Sequence, residues 1–158
     1  MIRAGIGFDV HRLEEGRELW LGGIKIPYHK GLMGHSDADV LLHALADSLL
    51  GAAAMPDLGQ LFPDTDPKYE GISSLELLSN VWARIRSSGY RVLNVDMVII
   101  AEEPRIAPYI GDMKKKIAEV LQVSQDQVGI KAKTAEKLGA IGDLRGIEAY
   151  AVCVLESA

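Results

Sequence analysis

Asp39-Val40-Leu41-Leu42-His43-Ala44-Leu45-Ala46-Asp47-Ser48-Leu49-Leu50-Gly51-Ala52-Ala53-Ala54 is a long run of helix formers with no internal proline. Its Leu and Ala content predicts a helix that ends at Gly51 or at Pro56. Upstream, Arg3 to Leu13 alternates loosely and carries Ala4, Gly5 and Gly7. That pattern predicts a strand whose backbone another element approaches closely. Leu19-Trp20-Leu21 and Ile24-Lys25-Ile26 flank Gly22-Gly23 as the arms of a hairpin. Downstream, Asp57 to Gly71 is dense in Gly, Pro and Asp and reads as a loop, after which Ser73 or Ser74 caps a helix that runs through Ser88 and stops at Gly89. Val92 to Ala101 reads as a strand, Pro108 starts a helix reaching Leu121, and Val128 to Lys133 and Gly146 to Leu155 are the last two strands.

This order lacks the strict strand-helix alternation of a doubly wound sheet. It predicts an α+β chain, 1-158, forming a single domain with helices on one face of a mixed sheet. The other face of such a sheet needs a cover, and another copy of the chain is the economical one.

The 158 residues are 48% hydrophobic and 25% charged, the balance of an ordinary globular domain. A formal net charge of -5 argues against a nucleic-acid binder, and Lys114-Lys115-Lys116 reads as the solvated face of a helix. No basic segment followed by an apolar stretch opens the chain, and no apolar run reaches the roughly 18 residues of a membrane span, so the expected location is cytoplasmic. Cys153 lies in an alternating run and is expected to be a buried strand residue.

The chemistry-bearing residues begin with Phe8-Asp9-Val10-His11, in which Asp and His, two apart on a strand, share a face. Alone the pair reads as an ordinary polar strand face. His35-Ser36-Asp37-Ala38-Asp39 then leads into His43, and Asp39, His43 and Asp47 follow one another at helical spacing. Asp9, His11 and His43 together make a three-ligand set of the catalytic kind, with Asp47 as a candidate to orient the imidazole. The acidic stretch Asp57-Leu58-Gly59 and Phe62-Pro63-Asp64-Thr65-Asp66 is either turn chemistry or a binder of sugar hydroxyls. Lys131-Ala132-Lys133-Thr134-Ala135-Glu136-Lys137 is phosphate-binding material at the end of a strand, where Glu136 is salt-bridged or suited to a magnesium ion on two phosphates. Ala101-Glu102-Glu103-Pro104-Arg105-Ile106-Ala107 is a plain connection or a reader of a base edge.

Jointly these segments resemble the 2-C-methyl-D-erythritol 2,4-cyclodiphosphate synthase family. The match runs through Gly7-Phe8-Asp9-Val10-His11, Gly22-Gly23, His35 to Asp47, Asp57-Leu58-Gly59, Phe62 to Pro67, Asn94-Val95-Asp96 and Lys131 to Gly139, nearly the whole chain. The resemblance implies a ferredoxin-like fold and a homotrimer with active sites between subunits. It implies Zn2+ on Asp9, His11 and His43, with Mg2+ or Mn2+ on Glu136 bridging the substrate diphosphate. His35 and Ser36 would meet the reacting phosphate and Thr134 the transition state. Asp57, Leu58, Gly59, Phe62, Pro63, Asp64, Thr65 and Asp66 would take the methylerythritol part. Ala101, Glu102, Glu103, Pro104, Arg105, Ile106 and Ala107, with Lys133, Thr134, Ala135 and Glu136, would take the cytidine diphosphate. The implied reaction forms the cyclic diphosphate of the non-mevalonate isoprenoid precursor pathway and releases CMP. The chain departs from the family pattern where Ala140 and Asp143 replace an expected Phe and Arg, and where Lys133 and Ala135 replace threonines. The changes at Ala140 and Asp143 argue against the axial ligand pocket that the family pattern implies, with Arg145 as the available substitute for the missing cation. Two rival readings use the same residues: a zinc-dependent phosphodiesterase or phosphatase delivering metal-bound water, and a nucleotide-binding trimer without turnover.

Overall fold

A computed structural model describes residues 1–157. Strand β1 (Ile2–Glu15) is followed by the short strands β2 (Leu19–Leu21), β3 (Ile24–Ile26) and β4 (Lys30–Leu32), then helices α1 (Val40–Ala52), α2 (Leu58–Leu61) and α3 (Ser74–Ser87). Strand β5 (Tyr90–Ile100), helix α4 (Ile110–Leu121), strand β6 (Val128–Lys133), the single turn α5 (Gly139–Gly142) and strand β7 (Gly146–Ser157) complete the chain. Five strands form one mixed sheet in the order β4-β1-β7-β5-β6, in which only β5 and β6 are parallel, while β2 and β3 make the expected hairpin.

The helix caps follow from side chains that satisfy free N–H groups in the first turn. Asp39 accepts from the Leu42 N–H at the start of α1, and Ser73 accepts from the Glu76 N–H at the start of α3. Pro108 is the second residue of a short 3-10 turn, Ala107–Tyr109, and α4 follows that turn rather than starting at the proline.

Helix α1 lies directly on β1. A methyl group at Gly7 would stand 1.9 Å from the Ala44 carbonyl oxygen, and one at Gly5 would stand 2.0 Å from that of Ser48. The two glycines therefore let the helix backbone meet the strand backbone, as the sequence suggested. Leu41, Leu45 and Leu49 of α1 are fully buried, each stabilising the fold by about 1.5–3 kcal/mol. Cys153, on β7 beneath α1, is buried with its thiol against the Ser48 carbonyl, and burial pushes that thiol up from its ordinary value.

On the opposite face of β1 and β7, Ile6, Phe8, Val10, Tyr150 and Val152 are exposed, and the Phe8 and Tyr150 rings pack with centroids 4.9 Å apart. Strand alternation puts these five on one side and the helix-facing residues on the other. Strand β4 and the turns α2 and α5 were not foreseen. Each is three or four residues long, too short for either periodicity to register. Among the described residues no helix is long and apolar enough to cross a membrane.

Candidate metal centre and substrate cavities

Strand alternation sends Asp9 and His11 toward the helices, and α1 brings His43 over them, so the three meet at the junction of β1 and α1. Asp9 Oδ2 lies 2.9 Å from His11 Nε2 and 3.1 Å from His43 Nδ1, and the two imidazole nitrogens are 3.4 Å apart. That triangle is close to one face of a zinc tetrahedron, whose edges are about 3.3 Å when the bonds are about 2.0–2.1 Å. Borderline N and O donors in this arrangement fit a divalent metal such as zinc, and the three residues could hold one.

The charge state of the triangle follows from its hydrogen bonds. Burial alone would raise the Asp9 carboxyl, but hydrogen bonds from His11 and His43 and their positive charge outweigh it and hold the group at about 2. Burial disfavours the His11 cation, yet the hydrogen bond and charge of Asp9 raise its pKa above the ordinary imidazole value. His11 Nδ1 lies 3.0 Å from the Met33 carbonyl oxygen, which can only accept. With carboxylate on one side and carbonyl on the other, both ring nitrogens need a proton until a metal displaces the one on Nε2.

Asp47 does not orient His43. Its carboxylate accepts from the Leu58 N–H at 2.8 Å, pinning α2 beside the centre, and burial raises its pKa. Asp39 also leaves the face that helical spacing assigned to it. As the cap residue its side chain folds back, and its fully buried carboxylate accepts from the N–H groups of Gly22, Gly23 and Leu42. Gly22 and Gly23 sit at φ +59° and +77°, a left-handed pair that turns both N–H groups toward Asp39. Burial raises the Asp39 carboxyl despite these donors. The group that does reach His43 Nε2 is Ser74 Oγ, at 2.9 Å. The sequence offers Ser74 only as a possible cap, and the doublet Ser73-Ser74 is the one signal of a second role, since one serine suffices for capping.

Two adjoining cavities open beside the triangle. One is lined by Asp9, His11 and Asp47, the other by Ser36, Tyr69, Ile72 and Leu77, and both share His35, His43, Leu58, Gly59, Phe62 and Asp64. His35 Nε2 reaches Asp64 Oδ2 at 3.2 Å across the mouth. Ser36, in the left-handed region at φ 57°, carries a buried hydroxyl with no hydrogen-bond partner. Such strain and an unmet hydroxyl beside a cavity favour a ligand contact. Asp57 caps α2 through the Gln60 N–H, Asp66 accepts from the Lys68 N–H, and Pro63 and Thr65 lie between them in the same loop. Part of the acidic loop is thus turn chemistry.

The remaining predicted residues gather elsewhere. A groove at the ends of β5 and β6 is lined by Ala101, Glu102, Pro104, Arg105, Ile106 and Ala107 with Ala132, Lys133 and Thr134, and shares no residue with the metal-side cavities. The Lys137 N–H donates to Glu102 at 2.7 Å, and Glu136 and Lys137 both adopt left-handed backbone. Glu103 of the same loop is bonded by the Tyr28 hydroxyl at 3.2 Å. Asp9, Ala149, Ile99 and Ala132 stand in one row across four strands. Three strand spacings of about 4.8 Å therefore separate the two regions by about 14 Å within one chain.

Comparison with known proteins agrees with this geometry. The YgbB family model matches residues 2–156. A protein of Syntrophomonas wolfei named 2-C-methyl-D-erythritol 2,4-cyclodiphosphate synthase is 54% identical over 157 residues, covering 99% of this chain and 100% of that one. A Geobacillus kaustophilus protein of the same name is 55% identical over 156 residues, covering 99% of each. A solved structure of a 2C-methyl-D-erythritol-2,4-cyclodiphosphate synthase in a CDP-bound form superposes with a TM-score of 0.91 at 37% identity, covering 98% of this chain and all of that one. The metal triangle, the cavities beside it and these matches along the whole chain converge: the protein belongs to the YgbB family, in company with the 2-C-methyl-D-erythritol 2,4-cyclodiphosphate synthases.

Proposed function

We propose that the chain converts 4-diphosphocytidyl-2-C-methyl-D-erythritol 2-phosphate to 2-C-methyl-D-erythritol 2,4-cyclodiphosphate and CMP, in the non-mevalonate isoprenoid precursor pathway. The observation that carries this reading is the Asp9, His11 and His43 triangle opening onto the cavity of His35, Leu58 and Phe62, in a chain 54% identical along its length to a protein of that name. An oxygen of the substrate's 2-phosphate attacks the β-phosphorus of its own diphosphate. The bond from that phosphorus to the bridging oxygen breaks, and CMP leaves with the oxygen and its electron pair. The attacking phosphate is already anionic, so neither a protein nucleophile nor a strong base is required. Catalysis consists of folding the substrate onto itself and neutralising charge.

Asp9, His11 and His43 would hold Zn2+, which when bound would supply Lewis-acid polarisation of a phosphate oxygen. Glu136 would hold Mg2+ or Mn2+, which would supply positive charge against the diphosphate. His35 and Ser36 hydrogen-bond the reacting phosphate, a role that the unpartnered Ser36 hydroxyl supports. Residues Asp57 to Gly59 and Phe62 to Asp66 position the methylerythritol hydroxyls. Thr134 donates to the charge that develops on the diphosphate, while Ala101 to Ala107 and Lys133 to Glu136 seat the cytidine nucleotide.

The separation of about 14 Å between the two groups in one row of the sheet supports a reading in which one chain supplies the metal half and a neighbouring copy the nucleotide half. A homotrimer of ferredoxin-like, cytoplasmic subunits meets that need and covers the apolar face around Phe8 and Tyr150.

Phosphorus NMR of the protein with the substrate, zinc and magnesium, with a chelator control, tests the reading. Cyclic diphosphate and CMP appearing together, both stopped by chelator, is the expected result. CMP with only linear phosphates would instead show a hydrolase, and binding without turnover a nucleotide-binding module.

A further inference from the structure

His43 turns Nδ1 toward Asp9 and His11, so Nδ1 is the nitrogen with which it can hold a metal, and it must then present a lone pair there. The proton of the neutral ring then sits on Nε2, which faces Ser74 Oγ at 2.9 Å. Ser74 is buried, and its hydroxyl is also in contact with Asp37 Oδ1. Asp37 accepts the Ser74 N–H at 3.0 Å and the Asp39 N–H at 3.2 Å. Both oxygens of Asp37 are thus acceptors toward backbone N–H groups. The Ser74 hydroxyl hydrogen is thereby committed to Asp37, and the lone pairs of Oγ are left to accept from His43 Nε2.

We propose that Asp37 and Ser74 are a positioning pair for the metal centre, orienting the His43 ring and drawing its proton to Nε2 so that Nδ1 is free to bind the metal. Neither side chain reaches the triangle itself; they act through His43. The pairing opposes Asp9, which lies 3.1 Å from Nδ1 and attracts a proton to the wrong nitrogen when the centre is empty of metal. It also joins the first residue of α3, and hence the end of the loop that walls the cavities, to a metal ligand on α1. This inference rests on the triangle holding a metal.

The test is zinc affinity of the full chain, read by competition with a chromophoric chelator, with the visible spectrum of the cobalt-loaded protein as a second readout. Ser74→Ala is expected to weaken zinc binding about 10- to 100-fold, the usual cost of removing a group that supports a ligating histidine. It should also alter the cobalt bands. Asp37→Asn keeps the side-chain volume and carries the same prediction should Ser74→Ala not fold: either orientation of the amide sets its NH2 against an N–H that the carboxylate accepted, of Ser74 or of Asp39, and so loosens the hold on the Ser74 hydroxyl. Ser73→Ala removes only the helix cap and is expected to lower thermal stability with zinc affinity unchanged. Zinc affinity in Asp37→Asn within twofold of wild type, or lost equally in Ser73→Ala, overturns the positioning role. No zinc binding by the wild-type chain overturns the metal reading beneath it.

Discussion

At one end of the sheet, where β1 meets α1, three side chains from packed elements hold one another at 2.9–3.4 Å, and each imidazole is bonded again from behind, by Met33 or by Ser74. At the other end, beyond β5 and β6, two loops face a groove, tied to each other through the Glu102 carboxylate and the Lys137 N–H. The first region is organised before any ligand arrives, because its residues ride on strand and helix backbones in direct contact. The second takes its shape from exposed loops, two of whose residues are left-handed. Preorganisation therefore sits at the β1 and α1 junction, while the groove beyond β5 and β6 is built from loops, the less constrained kind of backbone.

The sharpest way to break this contrast is at the metal end. His43→Ala is expected to abolish turnover and to weaken zinc binding by more than the roughly 100-fold that loss of a supporting group costs, with CDP affinity nearly unchanged. Turnover with no bound zinc would defeat the metal assignment. Next in size is the contact that makes the region rigid. Gly7→Ala forces a methyl group against the Ala44 carbonyl and should lower unfolding free energy by about 1–3 kcal/mol or more, measured by urea denaturation. A neutral result would mean that α1 can lift from β1 freely.

At the looser end the expected effects are smaller. Glu102→Ala removes a bond worth about 1 kcal/mol at an exposed site, and should weaken CDP binding about fivefold in calorimetry while leaving zinc affinity unchanged. The two ends should also differ in their response to pH. Because the His11 pKa is raised and its protonated ring cannot ligate, zinc affinity should fall as pH drops through that value, by at least about one decade per unit below it. Asp9, held at about 2, stays ionised through the same range and adds nothing to the slope. A zinc affinity flat between pH 7 and pH 5 would show that His11 is not a ligand.

Much of the metal end was legible because its residues obey short periods. Asp9 and His11 share a strand face by alternation, Gly5 and Gly7 announce a close approach, and His43 interrupts an apolar helix. What escaped were pairings between distant segments and departures from ideal helix geometry. Ser74 meets His43 across 31 residues and Asp37 across 37, distances at which sequence spacing carries no information. Asp39 sits at helical spacing from His43 yet points elsewhere, since a cap residue lies outside the helical backbone. The separation of the two regions was equally hidden. It comes from strand order, in which β7, last in the chain, inserts between β1 and β5.

The central claim, that the metal half of one copy works with the nucleotide half of another, is tested most directly by mixing subunits. His43→Ala and the double variant Thr134→Ala/Glu136→Ala should each be inactive alone, because each lacks one half. Dissociated and reassembled together in equal amounts, they should recover about one quarter of wild-type activity, the fraction of interfaces in a randomly mixed ring that pair two intact halves. Mixed assemblies that form and stay inactive would contradict the account and place the whole site within a single chain.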